Sequence, residues 1–223
     1  MLFRSKKDFT MIDVDRAATS RFTYYGTECP ESGGVFAFTI VYERPNHNGI
    51  APISGDAVLM AGTPESENIK GDNWIISQKL KAGEGAQFDF WARNLESLQS
   101  VLPSAKHKVA VLVSETGNSS TDQFTEVLPL EELPFLDREN WKHYVIDLSA
   151  YAGKDIYVAV RDYNETFALE AFYDDFTFTD FVPAEGSNIQ GISAEDAQNA
   201  AVTVYSLNGS QLAKGTGMQT LDQ

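Results

Sequence analysis

Two short acidic motifs are the residues of this 223-residue chain best suited to chemistry. In Asp13-Val-Asp15 the two carboxylates are two residues apart, so on an extended segment they project to the same side. In Tyr173-Asp174-Asp175-Phe176 adjacent acids sit between two apolar runs. Like charges held beside a core are costly unless a cation or hydrogen bonds compensate them. Calcium, which takes roughly six to eight oxygen ligands from carboxylates and carbonyls, suits such acids. Asp13, Asp15, Asp174 and Asp175 are therefore the candidate metal ligands, with Ca2+ as the candidate structural ion. The alternative for both pairs is a solvated acidic turn, and it weighs more heavily for Asp13 and Asp15.

Other chemistry is poorly represented. His47, His107 and His143 lie 60 and 36 residues apart, no two at ligand spacing, and read as surface or edge-strand histidines. There is no Gly-x-Ser-x-Gly elbow, no His-Glu-x-x-His and no glycine-rich phosphate loop. Paired carboxylates can cleave glycosides, but 32 acidic residues supply chance pairs everywhere, so no catalytic residue and no enzyme activity are expected. Trp74, Trp91 and Trp141 could stack on sugars, yet each lies in a run that reads first as core. The only cysteine, Cys29, beside Pro30, reads as an incidental thiol and excludes an intramolecular disulfide. Sequons at Asn118, Asn164 and Asn208 point to exposed loops.

The elements that must position these residues are strands. Runs at 35–42, 57–61, 74–80, 86–92, 108–114, 124–128, 141–148, 155–161, 167–173 and 176–181 are short and apolar or alternating. Tyr144, Ile146 and Leu148 share one face, as do Ile156, Val158 and Val160, which is the period of a half-buried strand. Turn signals such as Pro45–Gly49, Ser54-Gly55, Gly83–Gly85 and Thr116–Ser120 separate the runs. About ten such strands without a long helix predict an all-β antiparallel β-sandwich or jelly roll. Ser193–Asn199 is the closest approach to a helix. After Phe181 the composition shifts to turn formers, giving a linker over 182–191. Beyond it, Ala201–Ala213 reads as two short strands around an Asn208-Gly209 turn.

With 17 basic against 32 acidic residues, the formal charge is −15. Nucleic acid and anionic lipid are excluded as main partners, because phosphate binding needs a basic face. No apolar run approaches the length of a membrane span, so membrane insertion is not expected. Met1–Lys7 has positive charges but no apolar stretch behind them, so a secretory leader is not present in this chain.

Several segments in order carry a family resemblance. They are Asp72-Asn-Trp-Ile-Ile-Ser77, Phe88-Asp-Phe-Trp-Ala-Arg93, Val109–Ser114, the run Trp141–Lys154, Ile156–Arg161 and Tyr173-Asp-Asp-Phe176. In this order they resemble the cleaved-adhesin, or choice-of-anchor J, domain family over about residues 8–181, and Phe9–Asp15 looks like its opening. Gln78 departs from the family's usual proline. The resemblance implies a galactose-binding-like jelly roll that is non-catalytic and binds host protein or glycan, often with calcium. It places Asp13 and Asp15 at the opening acids and Asp174 and Asp175 at the terminal pair.

Residues 192–223 resemble the start of a type IX secretion C-terminal sorting domain that stops early. Together these features imply a secreted or cell-surface protein of a Bacteroidetes-type bacterium, lacking its leader and last strands. The expected function is a calcium-tied adhesion or ligand-binding module. Its loops Pro45–Gly49, Pro64–Gly71 and Asn94–Lys106 are the expected contact surface. The alternative is an ancillary carbohydrate-binding module of a larger secreted hydrolase.

Overall fold

The computed structural model describes residues 9–21, 23–24, 27–28, 33–42, 51–66, 68–95, 106–137, 139–165, 168, 170–184, 201–205 and 211–216. The chain divides into two compact units, Met1–Ala184 and Glu185–Gln223. The first opens with β1 (Phe9–Asp13), the short pair β2 (Thr23–Tyr24) and β3 (Thr27–Glu28), and β4 (Thr39–Tyr42). It continues with β5 (Ala57–Gly62), β6 (Gly71–Ser77), β7 (Leu80–Leu95), β8 (Lys108–Ser114) and β9 (Thr125–Glu132). β10 (Phe135–Leu136), β11 (Lys142–Asp147), β12 (Asp155–Asn164) and β13 (Glu170–Pro183) complete it. In the second unit β14 (Ala201–Tyr205) pairs antiparallel with β15 (Gln211–Thr216).

The first unit is an all-β jelly roll made from one curled sheet. One face runs β1-β6-β12-β8-β9, and the other runs β4-β5-β13-β7-β11. The two faces join where Leu80 and Lys81, at the start of the long strand β7, pair with Ile156 and Asp155 of β12. Every strand pair is antiparallel except the two-residue contact of β10 with β7.

The alternation seen in the sequence is what builds the core. Tyr144, Ile146, Leu148, Ile156, Val158 and Val160 all point inward and are buried. The expected runs at 167–173 and 176–181 form a single strand, β13, interrupted by a bulge. Phe88, Phe90, Phe176 and Phe178 stack at the centre, Phe88 lying 4.6 Å from Phe178 and 6.0 Å from Phe176. The turn after β11 is closed by Gly153, whose φ of 79° favours glycine. Its N–H donates to the Ala82 carbonyl, and Ala82 N–H donates to the Lys154 carbonyl. That exchange locks the corner onto β7.

Phe88 is 1% exposed and touches three other rings. Phe88→Ala removes a buried ring from a packed centre, so it should cost about 3–5 kcal/mol, measured by urea denaturation. A loss below about 1 kcal/mol would show that the stack does not organise the core.

Candidate functional site

β1 ends at Asp13, which lies opposite Asn73 of β6. The chain then bends at Val14 and Asp15 instead of continuing extended, and both carboxylates tie into this turn. Asp13 Oδ1 accepts the Arg16 N–H at 2.7 Å. Asp15 accepts the N–H groups of Ala17 (3.0 Å) and Asp72 (2.9 Å), one on each oxygen. The Asp72 carboxylate in turn takes Arg161 through two bonds of 2.7 Å and the Trp74 indole N–H at 2.8 Å. Asp15 thus fastens the turn to β6. Asp13 Oδ2 is buried and has no hydrogen-bond partner among the described residues. Burial pushes the Asp13 carboxyl up, opposed by the Arg16 N–H and reinforced by the nearby Asp15 charge.

Asp174 and Asp175 sit at the bulge of β13. Asp174 lies opposite Trp91 of β7 and Thr177 opposite Asp89, which leaves Asp175 and Phe176 against the single residue Phe90. Asp175 takes a positive φ of 47°. Asp174 Oδ2 accepts the N–H groups of Ile53 (2.7 Å) and Ser54 (3.4 Å), and Oδ1 accepts that of Asp175 (2.8 Å). The Ser54 hydroxyl donates to Asp175 Oδ1 at 2.5 Å. Burial raises the Asp174 carboxyl, only partly offset by these N–H donors and reinforced by the neighbouring Asp175 charge.

The structure does not gather the four acids. Among the described residues no three His, Cys, Asp or Glu side chains converge as a metal site would require. The first strand meets the bulge through aromatic contact instead, Phe9 lying 5.8 Å from Phe176.

A second polar constellation was hidden in the sequence. His107 is not a surface or edge residue; it is completely buried, as are Asp162 and Tyr173. Asp162 bridges His107 Nδ1 (2.8 Å) and the Tyr173 hydroxyl (2.5 Å), and the Asn94 carboxamide accepts the His107 N–H at 3.1 Å. Burial and the Asp162 charge hold the Tyr173 hydroxyl well above its usual range. The signal available in the sequence was Asp162 itself, which continues the inward series Ile156, Val158, Val160 with a charge. Full burial removes this network from direct contact with a ligand.

Glu170, 1% exposed beside His107, has an oxygen without a partner among the described residues. Burial pushes its carboxyl up to about 8 from 4.5, partly offset by His107. A carboxyl raised in the folded state stabilises fully below its unfolded value and loses that contribution as pH climbs to its folded value. Glu170→Gln is neutral throughout. Wild-type stability should therefore fall by up to about 1.4 kcal/mol per pH unit more steeply than that of the variant over this interval. Denaturation at a series of pH values measures it, and parallel curves would refute it.

The three tryptophans have three fates. Trp74 is buried, its N–H held by Asp72. Trp141 is half-buried, with its N–H on the Ala51 carbonyl and the Arg93 guanidinium 4.7 Å from its ring. Trp91 is half-buried on the outer face of β7 and stacks on the exposed His143 of β11, with centroids 4.2 Å apart and planes 10° from parallel. His143 Nε2 lies 3.0 Å from Asp89 Oδ1.

Of the expected contact loops, Pro64–Gly71 is described apart from residue 67 and is tied down by the Glu65 N–H on the Ala18 carbonyl. Pro45–Gly49 and residues 96–105 of the third loop lie outside the described residues, as do His47, Cys29, Ser193–Asn199 and Asn208-Gly209. The sequon at Asn164 does not mark an exposed loop. Asn164 is fully buried at the end of β12, against Gly71, where a Cβ would overlap its carboxamide.

The antiparallel strand order and the core between its two faces define an all-β jelly-roll sandwich domain. The chain belongs to the Cleaved Adhesin Domain family, which matches residues 34–178. It is 26% identical over 186 residues to Hemagglutinin A of Porphyromonas gingivalis, covering 74% of this chain and 7% of that protein. The chain thus spans a small part of that curated relative. In structure it is similar to the K2 cleaved adhesin domain of Lys-gingipain, with a TM-score of 0.53 and 19% identity over 78% of this chain and 90% of the other. The K1 domain of Lys-gingipain from Porphyromonas gingivalis W83 aligns at a TM-score of 0.46 and 19% identity, over 76% and 98% of the two chains.

Proposed function

We propose that this chain is a non-catalytic adhesion module of a secreted or cell-surface bacterial protein, recognising host protein or glycan. Membership of the Cleaved Adhesin Domain family carries this reading, supported by the similarity to a hemagglutinin. The sandwich serves as a rigid support. Its outward side chains on β7, β11 and β13, and the loops between strands, provide the contact surface. The hairpin β14–β15 is compatible with export through a sorting segment. Purified chain immobilised on beads should retain erythrocytes or extracellular-matrix protein, whereas beads carrying heat-unfolded chain should not. Equal retention by both would overturn the reading.

Calcium is proposed as a stabilising ion at Asp13 with Asp15. The feature that fits it is the buried, unpartnered Asp13 Oδ2, a partial negative charge that lacks compensation. The ion would neutralise that charge, with backbone carbonyls and water completing its shell. Asp15, like Asp174, already accepts an N–H group on each oxygen, so Asp13 is the ligand that carries the assignment and Asp15 contributes only its neighbouring charge. Chelator should lower the melting temperature and calcium restore it, by linkage. Asp13→Asn should abolish that response and Asp174→Asn should leave it. Melting that is indifferent to calcium and chelator alike would sink the assignment.

A further inference from the structure

We propose that Trp91, His143 and Asp89 form a binding platform for a neutral sugar ring. The proposal rests on the adhesion reading and names its ligand class. Phe88, Phe90 and Ala92 of β7 point into the core, so Asp89 and Trp91 share the outer face by strand alternation. β11 sets His143 opposite Trp91, and the exposed Val145 opposite Asp89. Two flat rings and an apolar side chain are thereby grouped on an outer face of a sandwich whose other large aromatics mostly fill cores.

The polar groups around the rings suit a polyhydroxylated ligand. Asp89 Oδ1 is engaged by His143, while Oδ2 has no partner among the described residues. The Trp91 indole N–H has none there either, in contrast to Trp74 and Trp141, whose N–H groups are both satisfied. Trp91 and His143 cover one face of each other, so the pyranose C–H face would be taken by the stack's outer side, with Asp89 Oδ2 as acceptor and the Trp91 indole N–H as donor for its hydroxyls.

Charge decides between sugar classes. Asp89, Asp174 and Asp147 lie on β7, β13 and β11 of this sheet, and the chain carries −15, so sialylated or sulfated glycans are repelled. A basic peptide would want several open carboxylates, whereas Asp174 has both oxygens occupied and Asp147 accepts the Ser149 N–H. Among the described residues only Asp89 Oδ2 stands open beside the rings, paired with an apolar surface that a pyranose uses better. Neutral glycan is the ligand that remains.

The test applies the whole chain to an array of neutral oligosaccharides, with sialyllactose and heparin oligosaccharides as anionic arms, and quantifies the best neutral binder by calorimetry. A neutral glycan should bind, Trp91→Ala should weaken it at least tenfold, and Asp89→Asn should weaken it less. Trp91→Phe, which keeps a ring on the strand, should retain most of the affinity and guards against misfolding as the cause. An unchanged affinity in folded Trp91→Ala, or binding confined to the anionic arms, overturns the platform. So does a chain that adheres to host protein but binds no neutral glycan, a result that leaves the adhesion reading standing. A chain that adheres to nothing overturns both.

Discussion

Tyr173 and Phe178 are five residues apart, and in an unbroken strand they would face opposite sides of the sheet. Both are buried in the same core. The extra residue at the β13 bulge reconciles them, and it also turns Phe176 inward onto Phe88 and Phe90. The positive φ of Asp175 makes the bulge geometry unfavourable by itself. Asp174 compensates by gathering N–H groups from the bulge and from the 51–56 segment. The central aromatic stack and the contact with β1 through Phe9 both follow from this one irregularity.

Acids inside or beside the sandwich are mostly answered by hydrogen bonds. Asp15 accepts backbone N–H groups, Asp72 holds Arg161 and an indole, and Asp162 holds a histidine and a tyrosine. Asp13 and Glu170 each retain an oxygen without a partner among the described residues. For Glu170 burial keeps the proton on. Asp13 lies closer to solvent, with Asp15 as a like-charged neighbour, and this is where the proposed ion would act.

Much of the fold was legible because strand periodicity and turn residues report local geometry. The run 108–114 matches β8 residue for residue, and the inward faces of β11 and β12 were read correctly. The bulge was less legible: a gap between two apolar runs looks the same whether the chain turns or merely adds a residue. The acids were visible as charged clusters, but Asp174 takes N–H groups from Ile53 and Ser54, more than a hundred residues earlier, and Asp15 takes one from Asp72 on another strand, which no local pattern encodes. His107 was misread because its burial depends on Asp162, 55 residues later. Trp91 could not be told from Trp74, since each has apolar neighbours and only the topology decides which face is covered.

Asn164 carries a glycosylation sequon at a position that the folded sandwich closes completely. Its carboxamide occupies the space beside Gly71 where even one additional carbon would collide. Gly71 and Asn164 are paired residues of β6 and β12, so this is the closing end of a strand ladder. A eukaryotic secretory host that glycosylates the chain before it folds would put an oligosaccharide where that ladder must zip. The sequence is thus suited to synthesis in cells that leave Asn-x-Thr unmodified, and a Gln at 164 would be the wrong remedy, because the site has no room for a longer side chain.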